Sequence, residues 1–149
     1  MTITNAKLVL YVIKWVFMLP SNHQNCAVCC QPFFSDQQVI DFTHLADGSV
    51  QTTITATDKM QGYQGVMQGG LISTLHDTAM THCLFAHNIQ ALTASLNVRF
   101  IQTVPLHTTL CVTAKMVKRT KRIFALESRI EAEGVICSTA EAKFMLDRR

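Results

Sequence analysis

The sequence predicts an α+β domain in which an antiparallel β-sheet packs one face against a single long helix. Three observations predict it. Only one long segment repeats its apolar residues at helical spacing, strand-like segments lie on both sides of it, and short turns separate the strands that follow. The chain has 149 residues, a common size for one domain. We therefore expect a domain over 21–149, preceded by an apolar extension at 1–20.

Two strands are predicted before the helix. Residues 39–46 nearly alternate apolar and polar side chains, as a half-buried strand does, and residues 49–57 are rich in β-branched side chains. Asp47 and Gly48 lie between them and predict a hairpin turn. A glycine-rich loop at 59–68 then leads into the helix.

The helix is predicted from Gly69 to about His87, because apolar residues there recur mostly three and four positions apart. Turn signals at Pro105, 120–122 and 133–134 separate the strand-like segments after it. The four strands predicted after the helix are 91–104, 108–118, 123–132 and 135–146.

The composition argues against some classes of function. A net charge of +3 is too small to favour a nucleic-acid-binding protein, although it suits a small anionic ligand. Charged residues make up only 15% of the chain and apolar residues 48%, which predicts an oligomer that covers part of the surface. The apolar run at 7–19 is interrupted by Lys14 and is shorter than the roughly 20 residues of a membrane span. We expect an added helix or strand there, and a cytoplasmic protein.

The cysteines predict reduced thiols. Six of them are spread along a chain that is long enough to form a core without disulfides. Zinc ligands are suggested by His23, Cys26, Cys29 and Cys30, but a single Cys-x-x-Cys without a second pair favours buried thiols. We therefore expect neither a metal nor a cofactor.

Asp77 is a carboxylate within the apolar helix. Burying it ionised and unpaired costs several kcal/mol, so it must be exposed, paired or functional. Its neighbours three and four positions away form a small, mostly polar strip, and a solvated helix face is one interpretation. These neighbours are Ser73, Thr74, Met80 and Thr81.

Gly69 and Gly70 begin the helix. Their free N–H groups, at the positive end of the helix dipole, suit a carbonyl oxygen or an anion. Gly70 and Asp77 are seven residues apart, or roughly 10 Å along the axis at about 1.5 Å per residue. One carbonyl group is too small to contact both. If both serve one reaction, the site must lie between two copies of the chain.

Two motifs resemble those of hotdog-fold acyl-CoA thioesterases of the PaaI-like branch. In this family a glycine is followed, two residues later, by His-Gly-Gly, and a carboxylate lies nine positions after the His. The segments QGYQGVMQGG (61–70) and LHDTAM (75–80) resemble this pattern. Residues 92–100 resemble the strand after the helix, and residues 25–29 are similar to a Cys-x-x-Cys segment of some members. The matches and the element order together span about three quarters of the chain. The resemblance implies a hotdog fold, an antiparallel sheet wrapped around one long central helix.

The resemblance also implies roles for residues of the site. Asp77 would act as general base on water or as nucleophile, and an N–H of Gly69 or Gly70 of the second subunit would polarise the thioester carbonyl. Thr81 matches a position where some relatives carry a hydroxyl that orients water, and an ordinary small helix residue is the alternative. Gln68 replaces the usual His, so it can hydrogen-bond there but cannot carry a proton at neutral pH.

Further residues are candidates for binding the substrate. Gln61 would supply the loop amide that relatives place near the thioester. His76 points about 100° away from Asp77 on the helix and is expected to be structural or on the surface. One predicted hairpin carries several basic residues. They could bind the phosphates of coenzyme A, or they could simply be the solvated charges of a surface turn. They are Lys115, Lys118, Arg119, Lys121 and Arg122.

The expected function is hydrolysis of an acyl-CoA thioester. The enzyme would be a homodimer or a dimer of dimers with its sites at the subunit interface, and it would use no nucleic-acid or membrane partner. The alternative is a module that binds acyl-CoA without cleaving it, as a sensor or carrier, and Gln68 keeps that alternative open. A nucleic-acid binder acting through the basic hairpin ranks third because the net charge is small.

Overall fold

The computed structural model describes residues 19–148. The predicted extension at 1–20 therefore lies almost wholly outside the described residues. The elements in chain order are β1 (Thr43–His44), β2 (Val50–Thr55), α1 (Gly69–Ala86), β3 (Leu92–Phe100), β4 (Thr109–Arg119), β5 (Ile123–Ala132) and β6 (Val135–Met145), with short 3₁₀ turns at Ser21–His23 and Asp58–Met60.

The six strands form one antiparallel sheet in the order β1-β2-β4-β5-β6-β3. Helix α1 packs against one face of this sheet, chiefly on β4, β5 and β6. The α+β prediction is confirmed, and so is the predicted order of two strands, one helix and four strands. Strand β3 follows the helix in sequence but crosses to the far edge of the sheet, where β6 is its only partner among residues 19–148.

The core lies between α1 and the inner face of the sheet. In β5, Phe124, Leu126, Ser128 and Ile130 are buried at two-residue spacing, while the residues between them are partly or fully exposed. On the helix, Leu75 and Ala79 are fully buried against this layer. Side chains at every second position of the strands and about every fourth position of the helix therefore pack together in one interface.

The ends of α1 are set by its flanking residues. Gln68 is the N-cap, and its side chain accepts a hydrogen bond from the amide of Leu71. At the other end Asn88 takes a positive φ of 57°, and the amide of Ile89 bonds to the carbonyl of Leu84 at 2.9 Å. This is the pattern of a Schellman motif, which ends the helix within one residue of the predicted His87.

Four strands, β1, β2, β3 and β6, are shorter than predicted, and β1 and β3 differ most. β1 spans two residues instead of 39–46 because only Thr43 and His44 find partners on β2. β3 ends at Phe100 instead of Val104 because the amides of the next two residues both bond to the carbonyl of Cys137, at 2.9 and 3.0 Å. Because two successive amides share one carbonyl, the regular pairing of β3 with β6 stops there. Within residues 19–148, no helix combines the length and the apolar character that crossing a membrane requires.

Candidate active site

The start of α1 is organised by the side chain of Gln68. Its Oε1 accepts a hydrogen bond from the amide of Leu71 at 2.8 Å. A Cβ on Gly70 would lie 2.8 Å from that Oε1, and a Cβ on Gly62 would lie 2.9 Å from the Cα of Gln68. These glycines therefore make the space in which Gln68 folds back over the helix. The cap occupies Oε1, and Nε2 has no acceptor among residues 19–148.

Two backbone donors are open at this helix start. Within the described part of the chain, the amides of Gly69 and Gly70 have no hydrogen-bond acceptor, whereas those of Leu71 and Ile72 both bond to Gln68. Gly69 lies beside the ring of Phe100, and a Cβ there would be 3.6 Å from a ring carbon. The pair can donate to a carbonyl oxygen at the positive end of the helix.

Asp77 is half-buried and paired. Its Oδ1 accepts a hydrogen bond of 2.6 Å from the hydroxyl of Thr93 at the start of β3. The solvated-face interpretation of Asp77 is therefore incomplete, because the carboxylate is held toward the sheet edge. Sequence reasoning missed Thr93, since pairing between a helix and a crossing strand leaves no local pattern.

Most hydroxyls of the polar strip are already engaged. Ser73 donates to the carbonyl of Gly69, Thr74 to that of Gly70, and Thr78 to that of Thr74. Thr81, one turn beyond Asp77, is half-buried, and its hydroxyl has no protein partner among residues 19–148. Thr81 is thus the hydroxyl of this strip that is available to a water molecule.

His76, the neighbour of Asp77, points into the core and is structural. It is fully buried, its Nδ1 meets the hydroxyl of Ser128 and its Nε2 lies 2.8 Å from that of Ser138. Ser138 donates its own proton to the carbonyl of Arg99, so Nε2 must carry the ring proton and Nδ1 must accept from Ser128. Burial lowers the pKa of His76 to about 4. The neutral ring joins α1 to β5 and β6.

The two halves of the predicted site lie at opposite ends of β3. Thr93, which holds Asp77, is at the start of the strand, and Phe100, which lies beside Gly69, is its last residue. At about 3.3 Å per residue the two strand ends are roughly 23 Å apart. The groups themselves are closer, because Gly70 and Asp77 are seven residues apart on α1, or roughly 10 Å along the helix axis. Within one chain, the carboxylate and the free amides therefore do not converge.

Gln61 closes the loop that leads into α1. Its Oε1 accepts from the amide of Gly65 at 3.0 Å, and the amide of Gly62 bonds to the carbonyl of Val66 at 2.9 Å. The oxygen of Gln61 therefore accepts within the loop, and its amide nitrogen has no acceptor among residues 19–148. Tyr63, at the tip of the loop, is 90% exposed.

The predicted basic cluster divides into two parts. Lys115 points outward from the middle of β4 and lies 3.7 Å from a carboxylate oxygen of Glu127. The other four residues lie in or beside the exposed β4–β5 turn, where the guanidinium of Arg119 is 5.7 Å from the ring centre of Phe124. They are Lys118, Arg119, Lys121 and Arg122. Lys115 therefore stands apart from the group.

The basic turn is at the same end of the sheet as Asp77. The strand registers align Thr93 with Phe144, Phe144 with Phe124, and Phe124 with Arg119. Three strand spacings of about 4.8 Å place the turn roughly 14 Å from Thr93 across the sheet. An elongated ligand is needed to contact both places.

The surface grooves of the single chain lie elsewhere. Two open grooves, of about 290 and 410 Å³, follow β3 and β6, and Asn97 and Glu141 line both. Neither includes Asp77, Gly69 or Gly70.

The sequence matches one protein family. Residues 64–137 match the model of the thioesterase superfamily. The match covers 74 of the 149 residues, and the predicted resemblance to hotdog-fold thioesterases is confirmed. No curated protein matches the sequence significantly.

Solved structures share the fold. A thioesterase superfamily protein is 28% identical with a TM-score of 0.68, covering 70% of this chain and 54% of its own. A hypothetical thioesterase protein of Streptococcus pneumoniae with coenzyme A is 17% identical with a TM-score of 0.67, covering 70% and 86%. The Escherichia coli PaaI protein from the phenylacetic acid degradation operon is 20% identical with a TM-score of 0.66, covering 70% and 81%. The chain thus spans about half the length of the first of these proteins.

Proposed function

We propose that this chain is an acyl-CoA thioesterase whose active site forms between two copies. The proposal rests on the positions of the two reactive groups relative to β3. Thr93 holds the Asp77 carboxylate near one end of the strand, and the free amides of Gly69 and Gly70 lie near the other end. The family match and the fold shared with a protein solved with coenzyme A support the choice of substrate class.

Antiparallel pairing of β3 with a second β3 would bring the two halves together. β3 is an edge strand, and Leu92 and Phe100 at its two ends are each more than half exposed. An unprotected edge with apolar side chains favours pairing with another strand. A two-fold axis reverses the strand direction, so the Gly69 end of one chain would meet the Asp77 end of the other. Each dimer would then have two equal sites, and a further pairing of dimers is compatible with this scheme.

The residues suit hydrolysis in the following way. The amides of Gly69 and Gly70 hold the thioester oxygen and stabilise its negative charge as water attacks the carbonyl carbon. Asp77 accepts the proton of that water, which Thr81 orients. The C–S bond then breaks, and the coenzyme A thiolate leaves and takes up a proton. Direct attack by Asp77, followed by hydrolysis of the anhydride, uses the same placement.

The basic turn is proposed to hold the phosphates of coenzyme A. Lys118, Arg119, Lys121 and Arg122 are exposed, and they lie at the same end of the sheet as Asp77. Coenzyme A is long enough to extend from the carboxylate to this turn. Gln61, through its amide nitrogen, is proposed as a contact nearer the thioester. A cytoplasmic location, and the absence of metal-dependent chemistry and of nucleic-acid or membrane partners in this reaction, stay predictions.

A second candidate function is binding of acyl-CoA without cleavage. The cap made by Gln68 favours it, because this side chain neither titrates nor offers its oxygen to a ligand. A histidine at the same position would add an ionisable group beside the thioester. The presence of a paired carboxylate at Asp77 favours hydrolysis.

The test is release of thiol from short, medium, long and aromatic acyl-CoA esters. We expect at least one class to be hydrolysed, and Asp77→Ala to lower kcat by at least about 100-fold, in line with removal of a general base. Asp36→Ala, which removes an exposed carboxylate from a loop, is the matched control and should leave the rate unchanged. If the esters bind but none is cleaved, the binding module is the correct function. Full activity in Asp77→Ala would refute the role of that carboxylate.

A further inference from the structure

The segment before β1 brings together three side chains that commonly bind metals. A ring nitrogen of His23 and the sulfurs of Cys26 and Cys29 all lie within 4.8 Å of one another. We propose that these three side chains bind a zinc ion, or a similar soft divalent metal, at a structural site outside the active site. This proposal replaces the expectation of no metal that was based on the cysteine spacing, and it does not rest on the proposed hydrolysis.

The spacing of the three atoms is close to that of a metal site. Zinc binds cysteine sulfur at about 2.3 Å and histidine nitrogen at about 2.0–2.1 Å in a tetrahedron, so its ligand atoms stand roughly 3.5–3.8 Å apart. The present atoms need to approach by about 1 Å at most. Rotation about the side-chain bonds of Cys26 and His23, which are both only half-buried, supplies a movement of that size.

A buried nitrogen without a partner points to a missing ligand. Nε2 of His23 is shielded from solvent, and it has no hydrogen-bond partner among residues 19–148. Leaving such a group unsatisfied destabilises the folded state. Coordination of a metal by this nitrogen would remove that cost.

The backbone also stabilises one of the sulfurs. The amide of Cys29 points at the sulfur of Cys26, with 3.4 Å between nitrogen and sulfur. An amide that donates to sulfur stabilises the negative charge that a thiolate ligand carries. The Cys-x-x-Cys spacing therefore gives two ligands and a backbone donor to one of them.

His82 of α1 lies next to this group but outside its 4.8 Å limit, and it would have to turn toward the metal to become the fourth ligand. Its Nε2 lies 3.4 Å from the sulfur of Cys29, and its ring stacks on Phe42 at a centroid distance of 4.6 Å. The ring of Phe85 packs edge-on against both histidines, at 4.9 Å from His23 and 5.5 Å from His82. Two nitrogens and two sulfurs with no carboxylate are a typical zinc ligand set.

Four protein ligands leave no position for a substrate, so the role is structural. Cys26 and Cys29 lie on the segment that precedes β1, whereas His82 lies on α1, five residues after Asp77. A bound metal would therefore fasten this segment to the second half of the catalytic helix. Because metal binding of this kind is coupled to folding, its loss should lower thermal stability.

The experiment uses the full chain, purified under reducing conditions with and without added zinc. We expect about one zinc per chain, and a lower Tm after treatment with a chelator that zinc restores. Cobalt(II) in place of zinc should give the visible and near-ultraviolet absorption of a tetrahedral site with thiolate ligands.

Variants identify the ligands. Cys29→Ser and Cys26→Ser should abolish stoichiometric metal, and His82→Asn should weaken binding. The matched control is Cys111→Ser, which alters a half-buried cysteine on β4 and should retain both the metal and the cobalt spectrum. Should the wild-type chain give no thiolate absorption with cobalt, or should Cys111→Ser lose metal as fully as Cys29→Ser, the proposed site is wrong. A Cys26–Cys29 disulfide that persists in reductant would also overturn it.

Discussion

Thr93 on β3 donates a 2.6 Å hydrogen bond to the carboxylate of Asp77 on α1, across sixteen positions of sequence. This contact holds a half-buried carboxylate at the edge of the sheet, beside β3, the strand through which the two chains of the proposed dimer would pair. A bond between a hydroxyl and an ionised carboxylate is worth more than a neutral hydrogen bond. The position of the proposed general base therefore depends on a residue outside its own helix.

Removing the Thr93 hydroxyl is expected to slow turnover. Loss of a hydrogen bond to a charged group costs about 1.5–3 kcal/mol, so Thr93→Val should lower kcat by roughly 10-fold to 100-fold. Thr93→Ser keeps the hydroxyl and should restore most of the rate. Thr53→Val, a change of the same kind at an exposed position on β2, is the control in steady-state assays. An unchanged kcat in Thr93→Val would show that this contact does not position the carboxylate.

A mixing experiment tests whether the site spans two chains. Gly69→Pro removes one proposed donor, and proline is tolerated at the first position of a helix. The backbone of Gln68, at φ −67° and ψ 134°, already has the extended form that a following proline requires. We expect Gly69→Pro and Asp77→Ala to be inactive alone.

Mixing the two variants after reversible dissociation should recover activity. In a random one-to-one mixture, half of the dimers are mixed and each has one intact site, so about a quarter of wild-type activity should return. The measurement is thiol release before and after mixing, with the oligomeric state checked by sedimentation. No recovery in a sample shown to contain mixed dimers would mean that both groups act within one chain.

The Gln68 cap is expected to stabilise the fold. Gln68→Ala should lower the free energy of unfolding by about 1 kcal/mol, because the amide of Leu71 loses its acceptor. Gly70→Ala should act in the same direction, since the new Cβ would lie 2.8 Å from the cap oxygen. The control is Gln64→Ala in the exposed loop, and chemical unfolding provides the measurement. Equal stability of Gln68→Ala and Gln64→Ala would show that the cap contributes nothing.

His76 is expected to make stability depend on pH. Burial lowers its pKa from 6.5 to about 4, so the unfolded chain binds more protons between these values. Stability from the neutral ring is thus complete above pH 6.5 and is lost as the pH falls toward 4, by up to about 3 kcal/mol. His76→Asn should be less stable at pH 7 but should lose less stability over this interval. Parallel pH profiles for the two proteins, from urea unfolding, would contradict this assignment.

Local patterns predicted the elements that local contacts determine. The limits of β5 were predicted without error, and α1 begins at the predicted Gly69. Both follow from side-chain periodicity and capping within a short window of sequence. β1 was predicted too long because alternation marks a half-buried segment whether or not a partner strand extends beside it.

Contacts between distant segments could not be predicted in the same way. The pairing of Thr93 with Asp77 depends on β3 crossing to the far edge of the sheet, and no pattern within β3 indicates that path. The approach of His82 to Cys29 depends on how the first described segment packs on α1. The sequence indicated His23, Cys26, Cys29 and Cys30 as candidate ligands, but it could not show which of their side chains lie close together in the fold.

Strand β3 carries parts of both active sites in the proposed dimer. Its first residues hold Asp77 of one site, and its last residue, Phe100, lies beside the Gly69 amide that serves the other. A strand resists stretching, so a small slide of β3 on filling one site would shift the groups of both. In the proposed dimer, each β3 strand therefore contacts residues of both sites.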